Sequence, residues 1–236
     1  CEEANAPFCT YCWRWWMAGA IQAMVDLNGA MSHPSSNATE ALLQAAWSSS
    51  PYTSRWNPTW AYIDDYLWYT HLWLAVFNVR GDAKYLDEAS STFDLMYGWG
   101  ADEPTNPVPG SAPLMSGCGG IFWLYPDRNP GGARKNAITT LEAVSAAAQL
   151  AVAHRPTAPA RAAAYEEQAT QLWAWLEGSG LLTDAPLVQD NVSATPAAHS
   201  ATPLQCCNGT SAGTTAYGQA ARCAVGQGST TWTYNQ

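Results

Sequence analysis

Residues 62–77 read YIDDYLWYTHLWLAVF, and the apolar pattern of this stretch decides the fold. Ile63, Leu67, Trp68, Leu72, Trp73, Leu74, Val76 and Phe77 would spread around almost the whole circumference of a helix over 62–79. A helix that is apolar on nearly every side is buried on most of them. The stretch therefore predicts a central helix enclosed by other elements, not a surface helix with one greasy stripe.

Working outward, the flanking segments also carry helical spacing. Trp16, Ala20, Met24 and Leu27 predict one face of a first helix ending near Gly29, and a short helix is expected over 40–48. Tyr85, Ala89, Phe93 and Met96 mark the helix after the central one, with Gly98 as its expected stop. Ala137, Leu141, Val144 and Ala148 mark another, and Tyr165, Ala169, Leu172, Trp173 and Leu176 a further one that ends at Gly178. Strand-like alternation is scarce. Segments 100–134 and 182–232 are rich in Gly, Pro, Ser, Thr and Asn and read as long loops, where function often resides.

A faint repeat accompanies this pattern. Tyr85, Ala89, Phe93 and Gly98 line up with Tyr165, Ala169, Trp173 and Gly178 at a constant offset. Each set lies on a helix that follows another helix, which predicts stacked helical hairpins. A closed α/α toroid and an open solenoid both satisfy it.

Composition narrows the function. Of the 236 residues, 47% are hydrophobic and only 12% charged, with a net charge of −9. Phosphate binding needs a basic surface, so nucleic acid is excluded as a partner. No apolar run is long enough to span a membrane. Thirteen Trp and eleven Tyr against four Phe favour flat rings with a polar handle, which suit sugar stacking as well as core packing.

Seven cysteines (Cys1, Cys9, Cys12, Cys118, Cys206, Cys207 and Cys223) and three N-x-S/T sequons at Asn37, Asn191 and Asn208 point to a secreted or cell-surface glycoprotein with disulfides. Cys9 and Cys12 form a C-x-x-C without the second ligand pair that zinc requires, so no metal and no cofactor is expected.

Asp64 and Asp65 stand where a Pro-containing loop gives way to the central helix. Acidic residues at a helix start commonly satisfy free N–H groups and the dipole, and that reading competes here. The chemical reading is a carboxyl pair at the mouth of a cleft. Retaining glycosidases hold two carboxyls about 5–5.5 Å apart and inverting ones about 6.5–9.5 Å. Adjacent residues in a first helical turn reach the shorter distance. Two close carboxyls do not ionise together easily, so one keeps its proton and an acid stands beside a base.

The string YIDDYLWYTHLWLAVF resembles the signature of glycoside hydrolase family 76, the endo-α-1,6-mannanases and fungal cell-wall transglycosidases. Matching pieces follow in order: GDAKYL (81–86), YGWG (97–100), CGGIFW (118–123), Lys135-Asn136 before an Ala-rich helix, WAWLEGSGLL (173–182), Val188-Gln189-Asp190 and a closing TYNQ (233–236). The resemblance implies an all-α (α/α)6 toroid of helical hairpins, with residues 1–236 as one catalytic-type domain. It implies retention, with Asp64 as nucleophile and Asp65 as general acid/base, on oligo- or polysaccharides of mannan type. It also marks Trp99, Gly119, Gly120, Trp123, Lys135, Asn136, Asp190, Tyr234 and Asn235 as candidate substrate-binding residues. Gly119 and Gly120 would permit close backbone approach to a ligand. Trp99 and Trp123 are either sugar platforms or packing beneath a loop, and Lys135-Asn136 is also a plain helix start.

This chain departs from the family pattern where Asp190 is followed by Asn191 instead of Gly, and where CGGIFW lacks a third Gly. About six helices are read against the twelve of a full barrel. A half-toroid exposes apolar helix surface, so a C-terminal remainder or a partner subunit is expected to cover the open face. A non-catalytic glycan-binding or structural subunit on the same fold is the alternative to the enzyme.

Overall fold

The computed structural model describes residues 15–30, 37–48, 62–102, 119–124, 134–179, 181–182, 188 and 191–193. The central helix forms as its sequence predicts. It runs Ile63–Arg80, and eleven of its residues are buried, including Leu67, Leu72 and Trp73. Gly81 stops it with a left-handed φ of 70° and an N–H bonded to the Phe77 carbonyl at 2.7 Å. Asp82 then caps the next helix by accepting from the Lys84 N–H at 3.1 Å.

Numbered in chain order, the helices are α1 (Trp15–Ala30), α2 (Asn37–Ser48), α3 (Ile63–Arg80), α4 (Ala83–Gly100), α5 (Ala137–His154) and α6 (Pro159–Gly178). Two short strands, β1 (Arg134–Asn136) and β2 (Asn191–Ser193), pair antiparallel with Lys135 opposite Val192. Consecutive helices pack as the hairpins α1–α2, α3–α4 and α5–α6. The first helix of each hairpin also packs on its neighbour, α1 on α3 and α3 on α5. The odd-numbered helices thus make an inner layer and the even-numbered ones an outer layer, which is the arrangement of a helical toroid. No helix among the described residues is long and apolar enough to cross a membrane.

Aromatic and polar contacts bind the layers. Trp47 of α2 meets Trp73 and Tyr85 edge-on at 5.3 and 5.2 Å. Further round, Asp94 of α4 accepts from Tyr165 at 2.9 Å and from Arg161 at 2.8 Å, both on α6. His154 of α5 meets Ser90 of α4 at 2.7 Å. Truncating a fully buried side chain such as Leu67 would cost about 2–5 kcal/mol.

Three details differ from expectation. On α1 the buried residues are Ala18, Ile21 and Val25, whereas Trp16 and Leu27 are about half exposed. That helix is apolar on several sides, so spacing alone does not say which side faces inward. Helix α4 continues through Gly98 to Gly100, because the α4 end must lie against α3: a Cβ on Gly100 would come within 2.3 Å of Ile63. The repeat holds for Tyr85/Tyr165 and Ala89/Ala169, which are all buried, but Phe93 is enclosed while Trp173 is 42% exposed.

Candidate active site

Tyr62 is the extended N-cap of α3, so Asp64 and Asp65 lie in the first turn of that helix. A descending segment, 119–124, crosses this end. Tyr62 bridges to Leu124, and the Ile63 N–H donates to the Trp123 carbonyl at 2.8 Å. The Trp123 ring stacks obliquely on Tyr62, with centroids 4.7 Å apart. That packing aims the indole at the carboxyl pair. Trp123 Nε1 donates to Asp64 Oδ2 at 3.0 Å, and the Asp65 backbone N–H donates to Asp64 Oδ1 at 3.0 Å.

Asp64 is 5% exposed and Asp65 is half-buried. Burial, followed by the charge of Asp65, raises the Asp64 pKa to about 7, and the bonds from Trp123 and the Asp65 amide hold back a larger rise. The pair therefore keeps one proton up to neutrality. Both partners of Asp64 are N–H donors, a pattern that complements a carboxylate rather than an acid. The Tyr66 and Tyr69 phenols are pushed upward by burial and then by the Asp65 charge, so both stay protonated.

Helix α5 completes this wall. His71 donates from Nε2 to the Glu142 carbonyl at 3.2 Å and accepts at Nδ1 from Gln149 at 3.2 Å. Burial lowers its pKa, which favours the neutral imidazole that joins α3 to α5 through these two bonds. The Glu142 side chain is buried too, and burial, then Asp64, then Asp65 raise its pKa well above the usual range. Nothing in the local sequence singled out Glu142, which looks like an ordinary acid on an Ala-rich helix.

The other candidates fall into distinct places. Gly119 and Gly120 both have positive φ, 80° and 76°. The close approach at Gly120 is made by an indole, since a Cβ there would lie within 2.5 Å of Trp175. Lys135 is fully buried, donates to Asp102 at 2.5 Å and to the Gly119 carbonyl, and lies 4.5 Å above the Phe122 ring. Burial lowers its pKa to about 8 against the opposing pull of Asp102. Asn136 caps α5 through Oδ1 to the Thr139 N–H at 3.1 Å. In this structure Lys135, Asp102, Gly119 and Gly120 form a buried brace that fixes segment 119–124, and hence Trp123, over Asp64, while Asn136 serves the start of α5. Asp102, the partner that makes the brace possible, escaped the sequence reading because its Lys lies 33 residues away.

Trp99 is half-buried against the main core. Asn37 is exposed at the start of α2, and the Asn191 backbone opens β2. Asp190, Tyr234, Asn235, Asn208 and all seven cysteines lie outside the described residues.

Comparison with known proteins agrees with this architecture. The sequence profile of Glycosyl hydrolase family 76 matches residues 3–236. A GH76A α-1,6-mannanase from Salegentibacter sp. HEL1_6 superposes with a TM-score of 0.55 at 20% identity, over 81% of this chain and 48% of that one. A family 76 mannosidase from Bacteroides thetaiotaomicron VPI-5482 superposes with a TM-score of 0.55 at 17% identity, over 75% of this chain and 46% of that one. The chain thus spans about half the length of these solved structures, and the likeness establishes a shared toroid fold. No curated protein sequence matches.

Proposed function

We propose, since this chain belongs to glycosyl hydrolase family 76, that it cleaves or transfers α-1,6-linked mannan or a related cell-surface glycan with retention of configuration. One observation carries the reading: Asp64 is a buried carboxyl beside a second carboxyl, with each of its oxygens facing an N–H donor. The likeness to the Salegentibacter mannanase supports the substrate class.

In this reading Asp64 is the nucleophile. Donors on both oxygens stabilise it as an anion and fix its direction, and an acid that must release a proton is poorly served by them. Asp65, half-buried, is the general acid/base. Asp64 attacks the anomeric carbon as the glycosidic C–O bond breaks, and Asp65 gives its proton to the departing oxygen. Water or a sugar hydroxyl then attacks the same carbon, loses a proton to Asp65 and releases Asp64. Two inversions leave the configuration unchanged. The pair shares its resting proton, and substrate binding must favour the form with that proton on Asp65.

Trp99, Trp123, Asp190, Tyr234 and Asn235 are the candidates for contacting the sugar, and Gly119, Gly120, Lys135 and Asn136 would shape the site from beneath. The sequons at Asn37, Asn191 and Asn208, with the seven cysteines, support a secreted, disulfide-bonded glycoprotein. The test is mass spectrometry of products from α-1,6-mannan with wild type, Asp64→Asn and Asp65→Asn. Shortened or transferred mannan chains from wild type alone are expected. Equal inertness of all three, with retained mannan binding, would favour the non-catalytic reading.

A further inference from the structure

From Ile63 to Val76, helix α3 is buried at every position but Asp65, Trp68 and His71. Their spacing of three puts them on one face of the helix. That stripe is the side of α3 that solvent, and hence a glycan, can reach. Its first member is the carboxyl proposed to deliver the proton. Its last, His71, is held by the Glu142 carbonyl and by Gln149. Trp68 stands between them, one helical turn from Asp65, and the chemistry above gives it no part.

Trp68 carries a second indole. The Trp15 ring of α1 lies over it with centroids 5.9 Å apart and planes tilted by 35°. Helices α1 and α3 run parallel, since a Cβ on Gly19 would meet the Trp68 ring and one on Gly29 would meet Val79. The start of α1 is therefore beside the first turns of α3, at the end that bears the carboxyl pair. Trp15 continues the side of α1 that is buried further along at Ala18, Ile21 and Val25, yet its own exposure is 39%. Packing of α1 on α3 thus leaves part of the ring open. A lone exposed Trp is ordinary on a protein surface. Two indoles in contact, the lower one on the face of Asp65, make a continuous aromatic surface next to that acid. Trp123 on Tyr62 supplies aromatic surface at Asp64.

We propose that Trp15 and Trp68 form a sugar-stacking platform, a subsite beside Asp65 for one pyranose ring of the glycan. The glycan class rests on the function proposed above, whereas the platform rests on this geometry. Pyranose C–H bonds are weakly positive and pack on the negative face of an indole. Helix α1 carries no Lys or Arg, so an anionic ligand finds no partner there, and a neutral sugar needs none. The platform lies a turn away from the reacting carboxyls and grips ground state and transition state alike. Its loss therefore weakens binding and spares the chemical step.

The test uses ¹⁹F NMR of Asp64→Asn labelled with 5-fluorotryptophan and titrated with α-1,6-linked mannotetraose. Trp15→Phe and Trp68→Phe assign the two resonances. Both should shift saturably. In mannan kinetics, Trp15→Ala should raise KM about 3- to 10-fold and keep kcat within about threefold of wild type, while Trp15→Phe stays near wild type in both. Tetraose that leaves both resonances in place overturns the platform, whether or not it binds elsewhere. So does a Trp15→Ala with wild-type KM, and so does a dimer in ultracentrifugation that Trp15→Ala abolishes, since a second copy would then occupy the rings. If Trp15→Ala does not fold, the titration alone decides. If the tetraose moves Trp15 and Trp68 but wild type neither cleaves nor transfers mannan, the platform stands and the catalytic reading fails.

Discussion

Trp123 and Asp64 are 59 residues apart in sequence, yet the indole N–H of one donates to the carboxyl of the other at 3.0 Å. The bond closes a loop-to-helix junction and at the same time tunes the group proposed to attack the sugar. It lowers the Asp64 pKa against burial and against Asp65. Trp123→Phe keeps the ring on Tyr62 and removes only the donor. The Asp64 titration should then move upward, and kcat/KM at about pH 6 should fall roughly 10- to 100-fold, as expected for losing a bond to a charged group worth about 1.5–3 kcal/mol. Carboxyl NMR and mannan kinetics read the two effects. An unchanged Asp64 titration would show that the bond does not act on the carboxyl.

The raised Asp64 pKa also predicts a pH dependence of stability. The folded chain binds this proton up to about pH 7, whereas an unfolded Asp releases it near 3.8. Native protein therefore holds more protons across that window, so the contribution is fully present below it and is lost as pH rises through it. The loss is on the order of 2–4 kcal/mol. Asp64→Asn should flatten the fall between those limits in urea unfolding measured at several pH values. It will not be uniformly more stable, since its amide presents an N–H to one of two donors. Parallel stability curves for wild type and variant would contradict the raised pKa.

Lys135 separates bracing from sugar contact. Breaking a buried ion pair by removing one partner costs about 3–5 kcal/mol. Lys135→Met should lower Tm sharply and leave KM for mannan near wild type in the folded fraction. A raised KM with unchanged Tm would instead make Lys135 a substrate ligand.

The sequence reading succeeds where one segment determines its own structure. Helix α3 is apolar all round and therefore central, and its adjacent acids fall in its first turn whatever surrounds them. Gly81 and Asp82 likewise end one helix and start the next through local bonds. It fails where a residue's role is set by a distant partner. The inward face of α1 depends on where α3 lies, and Trp16 was misplaced for that reason. Lys135 reads as an ordinary charged residue until Asp102 is beside it. Glu142 reads as a solvated helix acid until α3 covers it.

The roles within the pair can be told apart chemically. With azide as an external nucleophile, Asp65→Ala should give the glycosyl azide of retained configuration, because Asp64 still performs the first displacement. Asp64→Ala should give the inverted azide, because azide takes its place. Proton NMR of the products distinguishes them. The opposite pairing would exchange the two assignments.

The most direct measurement is the anomeric configuration of the first product released from α-1,6-mannan, followed by NMR before mutarotation. The account predicts an α-configured product from wild type and none from Asp64→Asn. A β-configured first product, or equal turnover by Asp64→Asn, would contradict it.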